Sequence, residues 1–349
     1  MANLGKESET VEQMVNWMLQ KPFLHEFKIG TIMSVAALRT IDRVEILSVM
    51  DNSIDVLMGS TPVAKRLKRD RDAHSKPQLR AEHGVSMLVT TYDGGTKDSF
   101  LFDTGVTLDG VLHNMDVLEV KGNELHAVVL SHGHTDHTRG LLGLIKRYGR
   151  PRVPIVLHPD AYLKRKNIQL DGHESEHIPP SKSDLEAEDI ELIEERGPTM
   201  LIGNHVMVTG QIPRTTTFEK GSPNQVALIE GRWQPDPWIH DDQAIILNVK
   251  EKGLVVLTGC GHAGVVNTLK CAQEMTGVNR IHAVIGGFHL TGPIFEPIIA
   301  PTVQALQEFN PSIIVPQHCT GWKATHLIAR EFPGAFVPNS VGTTIVIGA

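Results

Sequence analysis

Apolar and polar residues alternate early in this chain as they do in half-buried β-strands. Val44-Glu45-Ile46-Leu47-Ser48-Val49 is one such stretch, with the period of two that puts alternate side chains on opposite faces. Val85 to Tyr92, a Gly94-Gly95 turn and Ser99 to Phe102 predict a hairpin-like pair, its second strand ending in Asp103-Thr104-Gly105. Four later runs are continuously apolar: Ala127-Val128-Val129-Leu130, Val255-Val256-Leu257, Ala283-Val284-Ile285 and Ile313-Ile314-Val315. Runs of this kind predict strands covered on both faces. Further strands are expected from His205 to Val208, Ala244 to Val249 and Leu254 to Leu257, with a helix over Val265 to Met275 and another after Gly321. Alternation of strands with helices from Arg150 onward predicts an α/β protein.

Other segments carry less. Val11, Met14, Val15, Met18 and Leu19 stand at helical spacing and predict a short amphipathic helix over 9–20, packed on the body. Residues 174–195 are acid-rich and read as an exposed helix and loop with no chemistry implied. The stretch holding Trp233, Pro235, Pro237 and Trp238 reads as a long loop, the kind that often forms a lid or binding loop.

The four apolar runs share an ending. The first runs into Ser131-His132-Gly133-His134-Thr135-Asp136-His137, the second into Thr258-Gly259-Cys260-Gly261-His262, the third into Gly286-Gly287-Phe288-His289 and the fourth into Pro316-Gln317-His318-Cys319. Each strand thus delivers histidine at its carboxyl end, the edge where open α/β sheets bind ligands. A single histidine is ordinarily a satisfied core residue; four repetitions of one device are not. Imidazoles and carboxylates crowded as in 132–137 are the donors that zinc, iron and manganese accept, and catalytic sites keep one position open.

Composition narrows the class. The chain has 349 residues, 41% of them apolar, enough for one large core or two modest ones. A formal net charge of −7 does not indicate a nucleic-acid-binding surface. No apolar stretch approaches the ~20 residues of a membrane span, and Met1 to Thr10 lacks the apolar core of a secretory signal, so no membrane is involved and a cytoplasmic location is expected. Cys260, Cys271 and Cys319 form no C-x-x-C pair; they read as free thiols and small buried hydrophobes, although Cys260 and Cys319 stand beside the histidines of the motif. Gly59 to Leu79 holds Lys65, Arg66, Lys68, Arg69 and Arg71; it reads as a solvated face, the alternative being a flap that offers cations to an anionic substrate.

The H-x-H-x-D-H string resembles the signature of the metallo-β-lactamase superfamily. Within it, the chain resembles the branch of 7,8-dihydropterin-6-yl-methyl-4-(β-D-ribofuranosyl)aminobenzene-5′-phosphate synthases and their metallo-hydrolase relatives. Ala81 to Ser86, Leu101 to Gly105, Ser131 to Thr138, Gly210 to Arg214, Asp241 to Ala244, Thr258 to Gly264, Gly286 to Leu290 and His318 to Gly321 carry that likeness. The resemblance implies a four-layer αβ/βα sandwich over 43–349, with 1–42 as a helical extension and 59–79 as an insertion. It implies one or two divalent transition metals, zinc first and iron or manganese as alternatives. His132, His134 and His262 would bind the first and Asp136, His137 and His318 the second, with Asp103 and Asp242 orienting ligands from behind. At Gly286-Gly287-Phe288-His289 the superfamily's metal-bridging aspartate is missing, and His289 would take over one bond. Gln211 stands where the branch has Glu, and Arg139 where it has Gly.

The activity implied is a metal-dependent hydrolase that uses an activated water on a small ester, lactone, phosphoester or amide. Asp136 would be catalytic, with His83 and Arg214 binding a substrate anion. A synthase-type transferase and a non-catalytic metal-binding regulator are the competing readings. No oligomeric state follows from the residues.

Overall fold

The computed structural model describes residues 37–67, 77–148, 153–169 and 171–349. The helix expected over 9–20 and the basic residues Lys68, Arg69 and Arg71 lie outside them. Two large sheets dominate. One has eight strands, in spatial order Leu192–Glu194 (β10), Ile155–Leu157 (β7), Leu125–Val129 (β6), Thr96–Phe102 (β5), Ser86–Asp93 (β4), Arg43–Met50 (β2), Thr344–Gly348 (β19) and Ala64–Lys65 (β3). The other has seven: Thr199–Leu201 (β11), Val206–Val208 (β12), Ala244–Val249 (β15), Gly253–Thr258 (β16), Ile281–Gly287 (β17) and Ile313–Gln317 (β18), with Thr40–Ile41 (β1) beside β15.

The continuous apolar runs are explained by what lies on each side of them. Ala127 and Val129 on β6, and Val255 and Leu257 on β16, point into a core shared by the two sheets, with Ile46, Phe100, Phe102, Ile245 and Leu247. The alternate residues Val128 and Leu130 pack instead against the helices Gly110–Val117 (α1) and Leu141–Tyr148 (α3). Leu254 and Val256 pack likewise against the helices Val265–Thr276 (α5), Ile299–Phe309 (α6) and Trp322–Glu331 (α7). Helices, sheet, sheet and helices therefore stack in the four layers of an αβ/βα sandwich. Successive strand residues feed different cores, so neither face shows a polar alternation.

Two short helices, Thr135–Thr138 (α2) and Lys182–Ala187 (α4), complete the α-helices among the described residues. Two stretches differ from expectation. The segment around Trp233 is not a structureless loop: Gln225–Ile229 (β13) and Arg232–Pro235 (β14) form a hairpin. With Arg165–Ile168 (β8) and Glu174–His177 (β9) it makes a third, four-stranded antiparallel sheet. The acid-rich segment accordingly contributes β9, α4 and β10 rather than one helix and a loop. No helix among the described residues is long and apolar enough to cross a membrane.

Candidate metal centre

Strands β16, β17 and β18 are parallel neighbours, so the segments following them emerge on one edge. β6 brings the 132–137 segment to the same place from the other sheet. Gly133 permits the close fit there: a Cβ on it would lie 2.1 Å from the carbonyl oxygen of Ala161.

Three imidazoles meet first. His262 Nε2 lies 3.2 Å from His132 Nε2 and 3.2 Å from His134 Nδ1. Burial holds all three rings well below the ordinary histidine range, so they are neutral. A neutral ring nitrogen can donate to one partner at most, so this three-way meeting places lone pairs against one another. Ligands of a tetrahedral zinc at ~2.05 Å stand ~3.3 Å apart, close to the spacing seen.

A second group adjoins it. Asp136 Oδ2 lies 3.2 Å from His318 Nε2 and 3.7 Å from His137 Nε2, and His137 Nε2 lies 3.2 Å from Cys260 Sγ. Burial works against ionisation of Asp136, but His137 and His318 outweigh it and hold the carboxyl well below its usual range. Burial likewise opposes a charge on His137, yet Asp103 and Asp136 push it up to about 9.

The far sides of these rings are tethered. Asp103 Oδ2 is 2.7 Å from His137 Nδ1, and the same carboxylate accepts from Ser131 N and Oγ, each at 2.7 Å. Ser131 Oγ is in turn 2.9 Å from His132 Nδ1. His318 Nδ1 sits 3.0 Å from Asn52 Oδ1, and His134 Nε2 sits 3.2 Å from the Gln225 carboxamide. Such tethers fix the tautomer and aim the remaining nitrogen inward, as around metal-bound histidines. His318 Nε2 is buried and meets the Asp136 carboxylate, so two donors of this group converge. Asp103, His289 and His318 also hold φ of 63°, 46° and 46°, a backbone region that non-glycine residues occupy only when their surroundings enforce it. Four overlapping donor groups result among the described residues: Asp136, His137, Cys260 and His318; His132, Cys260 and His262; His134, Asp136 and His177; and Cys260, His289 and Cys319. Their chemistry and spacing fit divalent transition cations.

The remaining expected residues fall as follows. His289 joins Cys260 and Cys319 rather than either imidazole group. Asp242 stands behind the centre: its Oδ2 accepts from Ala263 N at 2.7 Å, and burial pushes it up to about 6. His83 stands at the mouth, its Nε2 3.6 Å from Asp136 Oδ2. Arg214 is a correction. It was expected to bind a substrate anion, but its guanidinium is partly buried and donates to the carbonyl oxygens of His262 and Trp238, so it braces the His262 loop. The two imidazole groups join at Cys260.

The groups open on a cavity of about 200 Å³, whose far wall comes from the third sheet and its connections: Asn167, His177, Ser222, Asn224 and Gln225. The His177 ring stacks on His134 with centroids 4.0 Å apart. His177 and Gln225 had no signal in the sequence, and Cys260 had only its place beside His262. The wall is fixed from behind by Arg165, which is 1% exposed. It donates to Asp236 (Nε, 2.7 Å) and Asp241 (Nη2, 2.6 Å), while Asp241 Oδ2 accepts from Gly133 N at 2.8 Å.

A family model described as the metallo-beta-lactamase superfamily matches residues 79–272. The chain belongs to the metallo-β-lactamase superfamily. A member of known structure, a metal-dependent hydrolase of the beta-lactamase superfamily, superposes with a TM-score of 0.67 at 25% identity, over 88% of this chain and 100% of its own. A 7,8-dihydropterin-6-methyl-4-(beta-D-ribofuranosyl)-aminobenzene-5′-phosphate synthase of Methanocaldococcus jannaschii is 32% identical over 286 residues, 80% of this chain and 94% of the relative. An uncharacterised protein of the same organism is 29% identical over 284 residues, 80% of this chain and 98% of the relative.

Proposed function

We propose that this superfamily member is a metal-dependent hydrolase of small molecules. The observation that carries this reading is the placement of two buried donor groups on the floor of one cavity with space beside them. A divalent cation held there supplies Lewis acidity, lowering the pKa of water and polarising a substrate oxygen. His132, His134 and His262 hold one cation in this reading, and Asp136, His137 and His318 hold another. Zinc suits the donor set, with iron and manganese as alternatives. The ionised Asp136 carboxylate orients the attacking water, and Asp103 keeps His137 in the tautomer that presents Nε2. His83 at the mouth and His177 on the wall, both held below the ordinary histidine range by burial, offer neutral ring nitrogens to a bound substrate. No lysine or arginine lines the cavity among the described residues, which favours a substrate whose reacting oxygen, rather than a remote anion, is what the site holds.

The 32% identity to the synthase over most of both chains supports a second reading, formation of that phosphorylated pterin conjugate. In it the carboxamides of Asn167, Asn224 and Gln225 would face the amide-like edge of a heterocycle. A panel of activated esters, lactones and phosphodiesters, run with metal-replete and metal-stripped protein, separates the two. Metal-dependent turnover of any panel member is the expected result. Formation of the pterin conjugate with no turnover of the panel would replace the hydrolase reading by the synthase one.

A further inference from the structure

Of the four donor groups, one is used by neither reading. Cys260 Sγ, Cys319 Sγ and a ring nitrogen of His289 are all within 4.8 Å of one another. The two thiols are 3% and 4% exposed, and Cys319 Sγ donates to the Cys260 carbonyl oxygen at 3.2 Å. His289 Nδ1 is buried with no hydrogen-bond partner. Its ring is clamped between His262 and Phe295, at centroid distances of 4.2 and 4.3 Å, on a residue whose φ is 46°.

Gly287 leaves room for the group: a Cβ there would stand 2.7 Å from Cys319 Sγ. An imidazole held at a positive-φ position against two buried thiols, one of which it hydrogen-bonds, is a costly way to fill a core. Buried apolar contact would be served better by an aliphatic side chain. Two cysteines and one histidine are instead a donor set of catalytic zinc sites with one open position, and all three residues line the cavity. Tetrahedral Zn–S bonds of ~2.3 Å put sulfurs ~3.8 Å apart, so rotation of the side chains by ~1 Å would close the set.

We propose that Cys260, His289 and Cys319 form a further metal position, which takes a thiophilic divalent cation of the zinc type. Cys260, present in three of the four donor groups, is the sulfur that joins it to the imidazole–carboxylate centre. This assignment goes beyond the proposed hydrolysis, because it concerns what binds and holds for either turnover reading.

The test uses the full chain, stripped of metal and reloaded with cobalt(II) without oxygen. Thiolate bound to cobalt gives a near-ultraviolet charge-transfer band that imidazole and carboxylate do not give. With two thiolates bound, Cys319→Ser should lower the band by about half, and Cys260→Ser with Cys319→Ser should abolish it. His289→Ala should release cobalt from the thiols and weaken the band. His132→Ala, which removes an imidazole ligand outside this group, should lower total cobalt and leave the part of the band that depends on Cys319, so a failure at the main centre is told apart from a failure here. Cobalt-edge X-ray absorption averages over all bound cobalt, so the expected result is a sulfur shell in the unaltered protein that Cys319→Ser weakens. A band or a sulfur shell that Cys319→Ser leaves at full strength overturns the proposal.

Discussion

Arg214 shows at the scale of one residue how a side chain can serve a site without facing it. Its two Nη atoms hold the carbonyls of His262 and Trp238, and burial lowers it only to about 10, so it stays charged at neutral pH. Arg214→Met should therefore cost about 2–3 kcal/mol of stability, the scale of lost hydrogen bonds to a charged group, and weaken metal binding at His262. Its effect on KM should be the same for anionic and neutral substrates; a selective rise for the anionic one would return Arg214 to substrate binding. His240 gives a pH-dependent case. Burial, followed by Arg214, pulls its ring from the ordinary 6.5 to about 4, so folding favours the neutral form. The stability this contributes is full above pH 6.5 and is lost as pH falls towards 4. His240→Asn keeps an acceptor for the Gln211 carboxamide, which bonds His240 Nδ1 at 2.9 Å, and should flatten the fall of Tm over that interval. An unchanged acid limb would show that His240 does not titrate there.

At the scale of elements, legibility followed local pattern. β2, β4, β5, β6 and β15 to β18 could be read because each repeats a periodicity or a continuous apolar run, and the histidines after them could be read because they are neighbours in sequence. The third sheet could not. β9 is Glu-Ser-Glu-His, mostly exposed, and is a strand because it pairs with β8, so His177 sat in a segment with no apolar signal. Cys260 was hidden for another reason: a small buried thiol looks the same in sequence whether it fills a core or faces a ligand group, and only the register of β16 beside β17 and β18 separates the two. The buried Arg165 gives this sheet its testable role. Arg165→Met strands Asp236 and Asp241 without their cation, and breaking a buried pair in this way costs about 3–5 kcal/mol. Because Asp241 also holds Gly133 N, metal affinity should fall with Tm. A stable variant with unchanged metal binding would show that the third sheet does not support the 132–137 loop.

For the whole molecule, the sandwich brings the carboxyl ends of β6 and of β16 to β18 together, although more than a hundred residues separate them in the chain. Neither sheet alone contains a complete imidazole–carboxylate group, so assembly of the two around their shared core is what creates that centre. That the centre holds divalent transition metal is the claim on which the rest depends. Elemental analysis tests it most directly, on protein purified without chelator from metal-supplemented medium and on His134→Ala checked for retained fold by circular dichroism. The account predicts about one or more transition-metal ions per chain in the unaltered protein and a clear loss in the variant, because an open tetrahedral site cannot spare one of three protein ligands. Unaltered protein with far less than one ion per chain, or a folded variant that keeps the full complement, would contradict it.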